Sequence, residues 1–256
     1  MSEIEIRGVR KQFGEVVALD GIDLDVARGE FVCLLGPSGC GKSTLLNAVA
    51  GFSLPTSGEI VAAGKRVTEP GPDRGMVFQE YALFPWMTVR ANVAFGLEMR
   101  GEPKRDIAAR VDALLAQLRL TDFANRFPKD LSGGMRQRVA SARILALDSP
   151  ILRMAEPFGA LDALTRRTLQ DELLRIWIEL RKTILFVTHG IEESIYLADR
   201  IVVMTYRPGR VKEIVPVTLP RPRDVASAEF NSLKRRISAM VMEEQQRHAE
   251  AEVHAT

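Results

Sequence analysis

The chain has 256 residues and a formal net charge of +2, from 35 Lys and Arg against 33 Asp and Glu. This length suits one sizeable α/β domain or a core with one insertion. Such a small net charge gives no field that could hold nucleic acid or an anionic membrane by charge alone, and it argues against a nucleic-acid partner. The first residues lack the apolar segment of a signal peptide, and no apolar run is long enough to span a membrane. We therefore expect a protein that is soluble by itself.

The first third of the chain shows strand patterns around a single short helix. The runs EIEIRGV and VVALDGIDLDV alternate with period 2 and predict antiparallel strands. FVCLL is apolar throughout, which predicts a buried strand, and it runs through a Gly-rich turn into the helical pattern KSTLLNAVAG. EIVAAG and GMVFQ predict two more short strands.

The rest of the chain is mainly helical, with apolar strands between the helices. Amphipathic spacing from about residue 90 to 125 predicts a helical insertion. The runs GGMRQRVASARILAL, DALTRRTLQDELLRIWIELRK and IEESIYLADR predict helices, and ILRMA, TILFVT and RIVVMT predict strands. Strands that alternate with helices predict an α/β fold with a mainly parallel sheet flanked by helices.

The run GPSGCGKST, residues 36–44, fits the pattern G-x-x-x-x-G-K-[ST] between the predicted buried strand and a helix. Glycines let successive backbone N–H groups converge on phosphate oxygens, and the helix N-terminus adds a favourable partial charge. Lys42 can reach the β- and γ-phosphates, and Ser43 offers a hydroxyl to Mg²⁺. The alternative, a chance Gly-rich turn, is disfavoured by the strand and helix on either side. The predicted phosphate loop consists of Gly36, Pro37, Ser38, Gly39, Cys40, Gly41, Lys42, Ser43 and Thr44.

A second run, LSGGMRQR at residues 131–138, is far more specific than the phosphate loop. The chain contains five runs in the order GPSGCGKST, MVFQEY, LSGGMRQR, AEPFGALD and FVTHG. Their order and spacing resemble the motifs of the ATP-binding-cassette ATPases, and the resemblance covers most of the chain. Within that family the chain most resembles the nitrate/sulfonate/taurine importer group, on PDRGMVFQEYALFPWMTVRANVAFGLEMRG and MTYRPGRV. The implied function is that of an ATP hydrolase whose work drives uptake of a small anion.

The resemblance also implies an architecture and a set of partners. The fold would be a P-loop NTPase core with an antiparallel β subdomain and a helical subdomain. Residues 1–220 would form one ATPase domain, with the helical subdomain at about 86–135, and residues 221–256 would form a C-terminal helical tail. ATP and Mg²⁺ would bind in a head-to-tail dimer with a second ATPase subunit, which is either identical or different. Transmembrane permease subunits would be direct partners, and a periplasmic solute-binding protein an indirect one.

The implied location is peripheral, on the cytoplasmic face of the plasma membrane. Cys33 and Cys40 have no metal-ligand spacing and agree with a reducing compartment. The segment EYALFPWMTV, residues 80–89, is rich in apolar and aromatic residues for a loop. It is either core between two subdomains or, as the resemblance implies, a groove for a short permease helix, and we favour the groove.

The resemblance assigns roles to further residues. Implied catalytic residues are Glu156, which acts on the attacking water, His189, which contacts the γ-phosphate, Gln79 and Lys42. Ser43 and Gln79 would contact the metal. Nucleotide contacts outside the phosphate loop would come from Phe13, Ser132, Gly133, Gly134, Gln137 and Asp162.

Each of these assignments has a structural alternative. Phe13 could be a sheet-face hydrophobe instead of an aromatic against adenine. Gln79 could be a solvated loop residue, and His189 could be a hydrogen-bonded structural residue. Ser132 can cap a helix, which is compatible with a role at a nucleotide.

The chain departs from the family where an Asp-Glu pair is expected, because Ala155 precedes Glu156. An alanine side chain can neither accept a hydrogen bond nor hold a metal-bound water, so hydrolysis is the step in doubt. Arg153 lies two residues before Ala155 in the predicted buried strand. Because side chains alternate along a strand, Arg153 and Ala155 point to the same face of the sheet. Its guanidinium must find an anion, either bound near the metal position or on a nearby acidic side chain. The alternative function is therefore a degenerate regulatory subunit that closes on ATP without turnover.

Overall fold

The computed structural model describes residues 2–77, 83–159 and 162–253. The strands are β1 (Ser2–Phe13), β2 (Val16–Ala27), β3 (Phe31–Leu35), β4 (Ser57–Ala62), β5 (Lys65–Arg66), β6 (Arg74–Val77), β7 (Ile151–Ala155), β8 (Thr183–Thr188), β9 (Arg200–Met204) and β10 (Val211–Pro216). The helices are α1 (Lys42–Ala50), α2 (Val89–Met99), α3 (Lys104–Gln117), α4 (Gly133–Ala146), α5 (Ala163–Leu180), α6 (Ile191–Leu197) and α7 (Ala228–Val253). No helix in the described ranges is long and apolar enough to cross a membrane.

The chain divides into two units, Met1–Gly71 with Leu180–Thr256, and Pro72–Glu179. The first unit contains the antiparallel sheet that the period-2 runs predict, with strand order β2-β1-β4-β5. Ile6 of β1 faces Leu24 of β2 and Ile60 of β4. All three side chains are buried while their polar neighbours face outward, as expected for a sheet with one covered face.

Parallel strands of the same unit meet at β3, which pairs with β8 on one side and β9 on the other. All five residues of β3 and all six of β8 are buried, which explains their uninterrupted apolar sequences. Strand β10 joins β9 in antiparallel orientation, and sequence patterns did not predict it. Its six residues include one buried position, so they carry little of the alternation that marks a strand.

The second unit holds the parallel pair β6 and β7 and the helices α2 to α5, of which α5 ends at the boundary between the units. Helices α2 and α3 confirm the helical pattern predicted from about residue 90 to 125. Parallel strands, an antiparallel sheet and a helical part together match the predicted fold class. The assignment of residues 1–220, 86–135 and 221–256 to a domain, a subdomain and a tail stays a prediction.

Candidate nucleotide site

The predicted phosphate loop lies between the end of β3 and the start of α1. Gly41 is the N-cap of α1 and has a φ of 93°, a left-handed conformation that strongly favours glycine. A Cβ on Gly41 would lie 2.6 Å from Leu19 Cδ2, and one on Gly36 would lie 2.8 Å from Cys40 Sγ. Close packing therefore requires glycine at both positions, which brings the backbone of the loop around a small concave site.

Lys42 lies at the start of α1 and is 7% exposed. Its Nζ atom donates to the carbonyl oxygens of Gly36 and Pro37, both at 2.7 Å. The side chain thus folds back over its own loop, where a phosphate oxygen could replace either carbonyl. The first N–H groups of a helix have no acceptor within that helix, so the start of α1 adds backbone donors beside the ammonium. The arrangement suits a polyphosphate.

The other loop residues divide by exposure. Ser38, Gly39 and Ser43 are exposed, Thr44 is half-buried, and Pro37 is buried. Cys40 is buried as well, and burial raises the pKa of its thiol. A thiol that keeps its proton is a poor nucleophile, so Cys40 serves the packing of the loop.

Phe13 ends β1 with 51% of its surface exposed. Lys11 Nζ lies 5.0 Å from the centroid of its ring and donates to the carbonyl oxygen of Leu54 at 2.6 Å. A buried sheet-face hydrophobe would have no such exposure. The exposed ring is available for stacking against a planar base.

His189 follows β8 directly and is exposed. Leu35 of β3 and Thr188 of β8 are register partners, so the phosphate loop and His189 begin at the same end of the parallel strands. Ligands of open parallel sheets bind at this carboxyl end. Thr188 Oγ1 accepts from the N–H of Gly190 at 2.9 Å and donates to Glu193 Oε2 at 2.5 Å. These bonds fix the turn around His189 and replace the side-chain cap that Gly190 cannot supply.

In the second unit, the LSGG run forms the start of α4. Ser132 is exposed, and its Oγ accepts from the N–H of Met135 at 3.3 Å. The predicted helix cap is therefore present. Gly133 and Gly134 are half-buried in the first turn of α4. Gln137, one turn further, is 3% exposed and lines a cavity of about 20 Å³ with Met154 and Phe158. Its side chain lies inside the unit and away from the exposed edge that carries Ser132.

The cap at Ser132 allows the structural role of this residue to be measured separately. We expect Ser132→Ala to lower the free energy of unfolding by about 1 kcal/mol, because the N–H of Met135 loses its acceptor. Ser132→Asp should keep the cap and the stability. Urea denaturation of both variants tests this. Equal stability of the Ala variant and the unmodified chain would show that the cap contributes nothing.

Glu156 follows β7 in a left-handed backbone conformation with a φ of 46°. Such a conformation costs a non-glycine residue roughly 1–3 kcal/mol and occurs often at functional sites. Four other non-glycine residues share it, so the φ value alone does not identify a catalytic residue. The carbonyl of Glu156 accepts from the N–H of Gly159 at 3.1 Å, which holds the turn after the strand. Ala155 is half-buried beside it.

Asp162 caps α5 and is exposed. Its Oδ1 atom accepts from the N–H of Thr165 at 2.9 Å, and hydrogen bonds from the Thr165 backbone and side chain lower the pKa of its carboxyl. The cap gives Asp162 a structural role that the sequence patterns did not assign. A cap occupies one carboxylate oxygen and leaves the other at the surface.

Arg153 is 1% exposed in β7, which makes it the largest fully buried side chain of the described ranges. Its Nη2 atom donates to the carbonyl oxygen of Arg74 in β6 at 2.6 Å. Arg74 Nη1 in turn donates to Asp73 Oδ2 at 2.7 Å. Burial, and after it the charge of Arg74, lower the pKa of Arg153 to about 10, while the Asp73 carboxylate acts in the opposite direction. The Arg153 guanidinium thus donates to a backbone carbonyl of β6, and the Asp73 carboxylate pairs with Arg74. Both alternatives for Arg153 stay predictions.

Comparisons with known proteins identify the family. The model of the family described as ABC transporter matches residues 19–159, which is more than half of the chain. This chain belongs to the ABC transporter family. A taurine import ATP-binding protein of Roseobacter denitrificans is 54% identical over 196 residues, 77% of this chain and 73% of that protein. An aliphatic sulfonates import ATP-binding protein of Bacillus cereus is 44% identical over 227 residues, 89% of each chain.

A solved dimeric ATP-binding cassette, in a post-hydrolysis state bound to ADP and Pi, has the same fold. Its TM-score is 0.72 at 32% identity, over 84% of this chain and 98% of that one. The predicted family and the predicted P-loop NTPase fold are therefore confirmed. The ATP-binding subunits of this family are ATPases.

The described residues of this ABC cassette form no metal site from protein side chains alone. Among residues 2–77, 83–159 and 162–253, no cluster of three or more His, Cys, Asp or Glu side chains could hold a metal ion. Ser43 presents a hydroxyl at the surface, Gln79 lies outside the described residues, and Ala155 has no oxygen donor on its side chain. A lone hydroxyl is far short of the oxygen set that Mg²⁺ requires from protein, water and phosphate together.

One residue of this ABC cassette that sequence patterns missed is Asn92. It is fully buried in α2, where its Oδ1 accepts from the N–H of Phe84 at 2.9 Å. Its Nδ2 lies within 3.1 Å of the carbonyl oxygens of Phe84, Met87 and Thr88. These bonds fix residues 83–89, the described part of the apolar and aromatic segment 80–89, in which Trp86 is 70% exposed. An asparagine on the apolar face of a predicted helix was the available signal, since a buried amide needs such partners.

Proposed function

We propose that this chain is the ATP-binding subunit of an ABC importer. The observation that carries the proposal is the phosphate loop. In this loop, Lys42 Nζ donates to two backbone carbonyl oxygens at 2.7 Å, next to the first N–H groups of α1. Phe13 would stack against adenine, and residues 36–44 would hold the phosphates. Glu156, Gln79 and His189 would act at the γ-phosphate. Ser132, Gly133, Gly134 and Asp162 are proposed to act at a nucleotide across a dimer. Gln137, whose side chain is buried one turn further along α4, is proposed to support the LSGG turn at that nucleotide.

We propose a small sulfonate, taurine-like or nitrate-like anion as the cargo. Support comes from relatives that are named for the import of taurine and of aliphatic sulfonates, at 54% and 44% identity. The ATP-binding subunit does not select cargo, since permease and binding protein contact the solute. The cargo assignment therefore rests on kinship alone.

The proposed assembly is a head-to-tail pair of ATP-binding subunits on the cytoplasmic face of the membrane, joined to permease subunits and served by a periplasmic binding protein. A related cassette that was solved as a dimer with ADP and Pi supports the pair. Trp86, 70% exposed on a loop that Asn92 fixes, supports contact with a permease segment. A large aromatic presented on a well-held loop is typical of an interface anchor.

A second candidate function is a subunit that closes on ATP and hydrolyses it slowly or not at all. Ala155 favours it, because the side chain before Glu156 offers no oxygen to a metal-bound water or to the Ser43 hydroxyl. A heterodimer with an intact partner would let such a subunit serve in transport. Copurification with a different ATPase chain would support that arrangement.

Nucleotide binding by the purified chain tests the proposal directly. We expect the fluorescent analogue mant-ATP to bind, and Lys42→Ala to weaken binding about tenfold or more, because the ammonium supplies charge-assisted bonds to phosphate. Lys129→Ala, an exposed lysine on another segment, is the matched control. ATP-dependent accumulation of taurine in proteoliposomes with the permease then tests the cargo. Absence of mant-ATP binding at millimolar concentration would refute the function, and uptake of another solute class would refute only the cargo.

A further inference from the structure

The segment TYRPGR, residues 205–210, forms a closed turn between β9 and β10. Thr205 N donates to the carbonyl oxygen of Arg210 at 3.0 Å, and Thr205 Oγ1 donates to that of Pro208 at 2.9 Å. Arg210 N donates back to Thr205 Oγ1 at 3.0 Å. Three bonds within six residues give this turn a defined shape. We call residues 205–210 the RPG turn.

The RPG turn packs against the back of the phosphate loop in the same unit. Gly209 N donates to the carbonyl oxygen of Ala18 at 3.0 Å, and Gly209 accepts from Asp20 N at the same distance. A Cβ on Gly209 would lie 2.2 Å from the carbonyl oxygen of Cys40. No side chain larger than hydrogen fits there, so the RPG turn directly supports Cys40.

Arg207 extends this support to the exposed rim of the phosphate loop. Its Nε atom donates to the carbonyl oxygen of Gly39 at 3.2 Å. Gly39 has a φ of 76°. Fixing this conformation has a high entropic cost, because glycine loses more conformational freedom than other residues when it is ordered. The carbonyl of Gly39 and the N–H of Cys40 belong to one planar trans peptide and point in opposite directions. A guanidinium that holds the carbonyl outward therefore directs the N–H towards the interior of the loop.

The other side of the RPG turn is bound to α7. Tyr206 N donates to Glu244 Oε2 at 2.9 Å, and the Tyr206 ring stacks on His248 with centroids 4.1 Å apart. Glu244 is 1% exposed and also accepts from Lys212 Nζ at 2.6 Å. A buried carboxylate with two charge-assisted or backbone bonds is a firm anchor. The turn is thus fixed at both ends.

We propose that the RPG turn braces the phosphate loop and that Arg207 is a positioning residue for nucleotide binding. Its guanidinium sets the orientation of the Gly39–Cys40 peptide before a polyphosphate arrives, and this lowers the entropic cost of ordering the loop on binding. The inference rests on the proposed nucleotide function. Arg207 belongs to the MTYRPGRV run, which in the sequence indicates only family resemblance. The proposal gives Arg207 a role in holding ATP.

Two measurements on the full chain test the brace. Amide hydrogen exchange without nucleotide should be about fivefold faster at residues 38–41 in Arg207→Ala, because one hydrogen bond to a charged group is lost at the surface. Binding of mant-ADP and mant-ATP should weaken by about the same factor. Arg207→Lys should restore both values to within about twofold, since an ammonium can also donate to the Gly39 carbonyl.

Arg210→Ala is the matched control, because Arg210 belongs to the same turn and pairs with Asp20 at the surface instead of with the loop. It should leave exchange at residues 38–41 and nucleotide affinity unchanged. Unchanged exchange in Arg207→Ala, or an equal effect of Arg210→Ala, overturns the brace. If the unmodified chain binds no nucleotide, the proposed function fails, while the exchange measurement still decides whether Arg207 orders the loop.

Discussion

Ala155→Asp is expected to raise ATP turnover of the assembled transporter by about 10- to 100-fold. Ala155 is half-buried at the end of β7, next to Glu156, whose left-handed backbone places it in the turn after the strand. An aspartate there would complete the Asp-Glu pair that the family resemblance leads us to expect at positions 155 and 156. Steady-state phosphate release at saturating ATP and Mg²⁺ measures the gain.

Matched variants separate chemistry from folding in this experiment. Ala155→Asn has the shape of aspartate without the charge and should recover only a small part of the gain. Adding Glu156→Gln to Ala155→Asp should abolish it, because the residue that we propose to act on the attacking water is lost. Equal turnover with alanine and aspartate at position 155 would mean that Ala155 does not limit hydrolysis, and it would remove the basis of the second candidate function.

The turnover of the alanine form decides whether transport requires a homodimer or a heterodimer of ATP-binding subunits. If the alanine form does not turn over, a homodimer holds ATP at both sites, and transport needs a partner chain with an intact pair of carboxylates. If mixing this chain with such a partner restores turnover, the sites are unequal within one dimer. Mass measurement of the purified complex distinguishes the two arrangements.

The sequence specifies some parts of this structure and leaves others open. Strand β3 and the phosphate loop follow from local rules, because an uninterrupted apolar run must be buried and because Gly36 and Gly41 of the loop admit no Cβ. The cap at Ser132 follows in the same way. Strand β10 does not, because pairing with β9 decides its conformation and its own alternation is weak.

Buried polar groups were the least predictable part. One partner of Arg153 is the backbone carbonyl of Arg74 in β6. Every residue has a backbone carbonyl, so no residue type in the sequence marks this contact. The bonds of Asn92 likewise go to three backbone carbonyls of the preceding loop. Arg207 reaches the phosphate loop from 168 residues away in the chain. Contacts of this kind depend on tertiary structure and leave no local pattern.

Arg153→Leu is expected to raise the free energy of unfolding by about 1–3 kcal/mol. The side chain is 1% exposed, and burial lowers the pKa of its guanidinium to about 10 in spite of the nearby Asp73 carboxylate, so the charge is unfavourable where it lies. A leucine, which is shorter but similar in volume, carries no charge and has no such cost. Urea denaturation at neutral pH measures the gain, and Arg90→Leu, an exposed arginine of α2, is the control for loss of charge.

The gain should also depend on pH in a defined direction. Since burial lowers the pKa of Arg153 to about 10, the folded state releases this proton at a lower pH than the unfolded state does. The cost of the buried charge is therefore fully present below about pH 10 and declines as pH rises through that value. The gain in the free energy of unfolding from Arg153→Leu should be constant over the roughly three pH units from pH 6 to 9, which lie below the folded pKa of about 10. Above that pKa the gain should be smaller. An advantage that grew above pH 10 would contradict this account.

Asp73→Ala is expected to destabilise the unmodified chain by about 2–3 kcal/mol, because it removes the carboxylate that offsets the charges of Arg74 and Arg153. In the Arg153→Leu background the loss should be smaller by at least about 0.5 kcal/mol, since only one buried guanidinium then depends on Asp73. Asp112→Ala, which breaks an exposed pair with Arg90, should be near neutral and additive with Arg153→Leu. Additivity of Asp73→Ala with Arg153→Leu would show that the two buried charges are not coupled through Asp73, and the stability gain at position 153 would then have to come from packing alone.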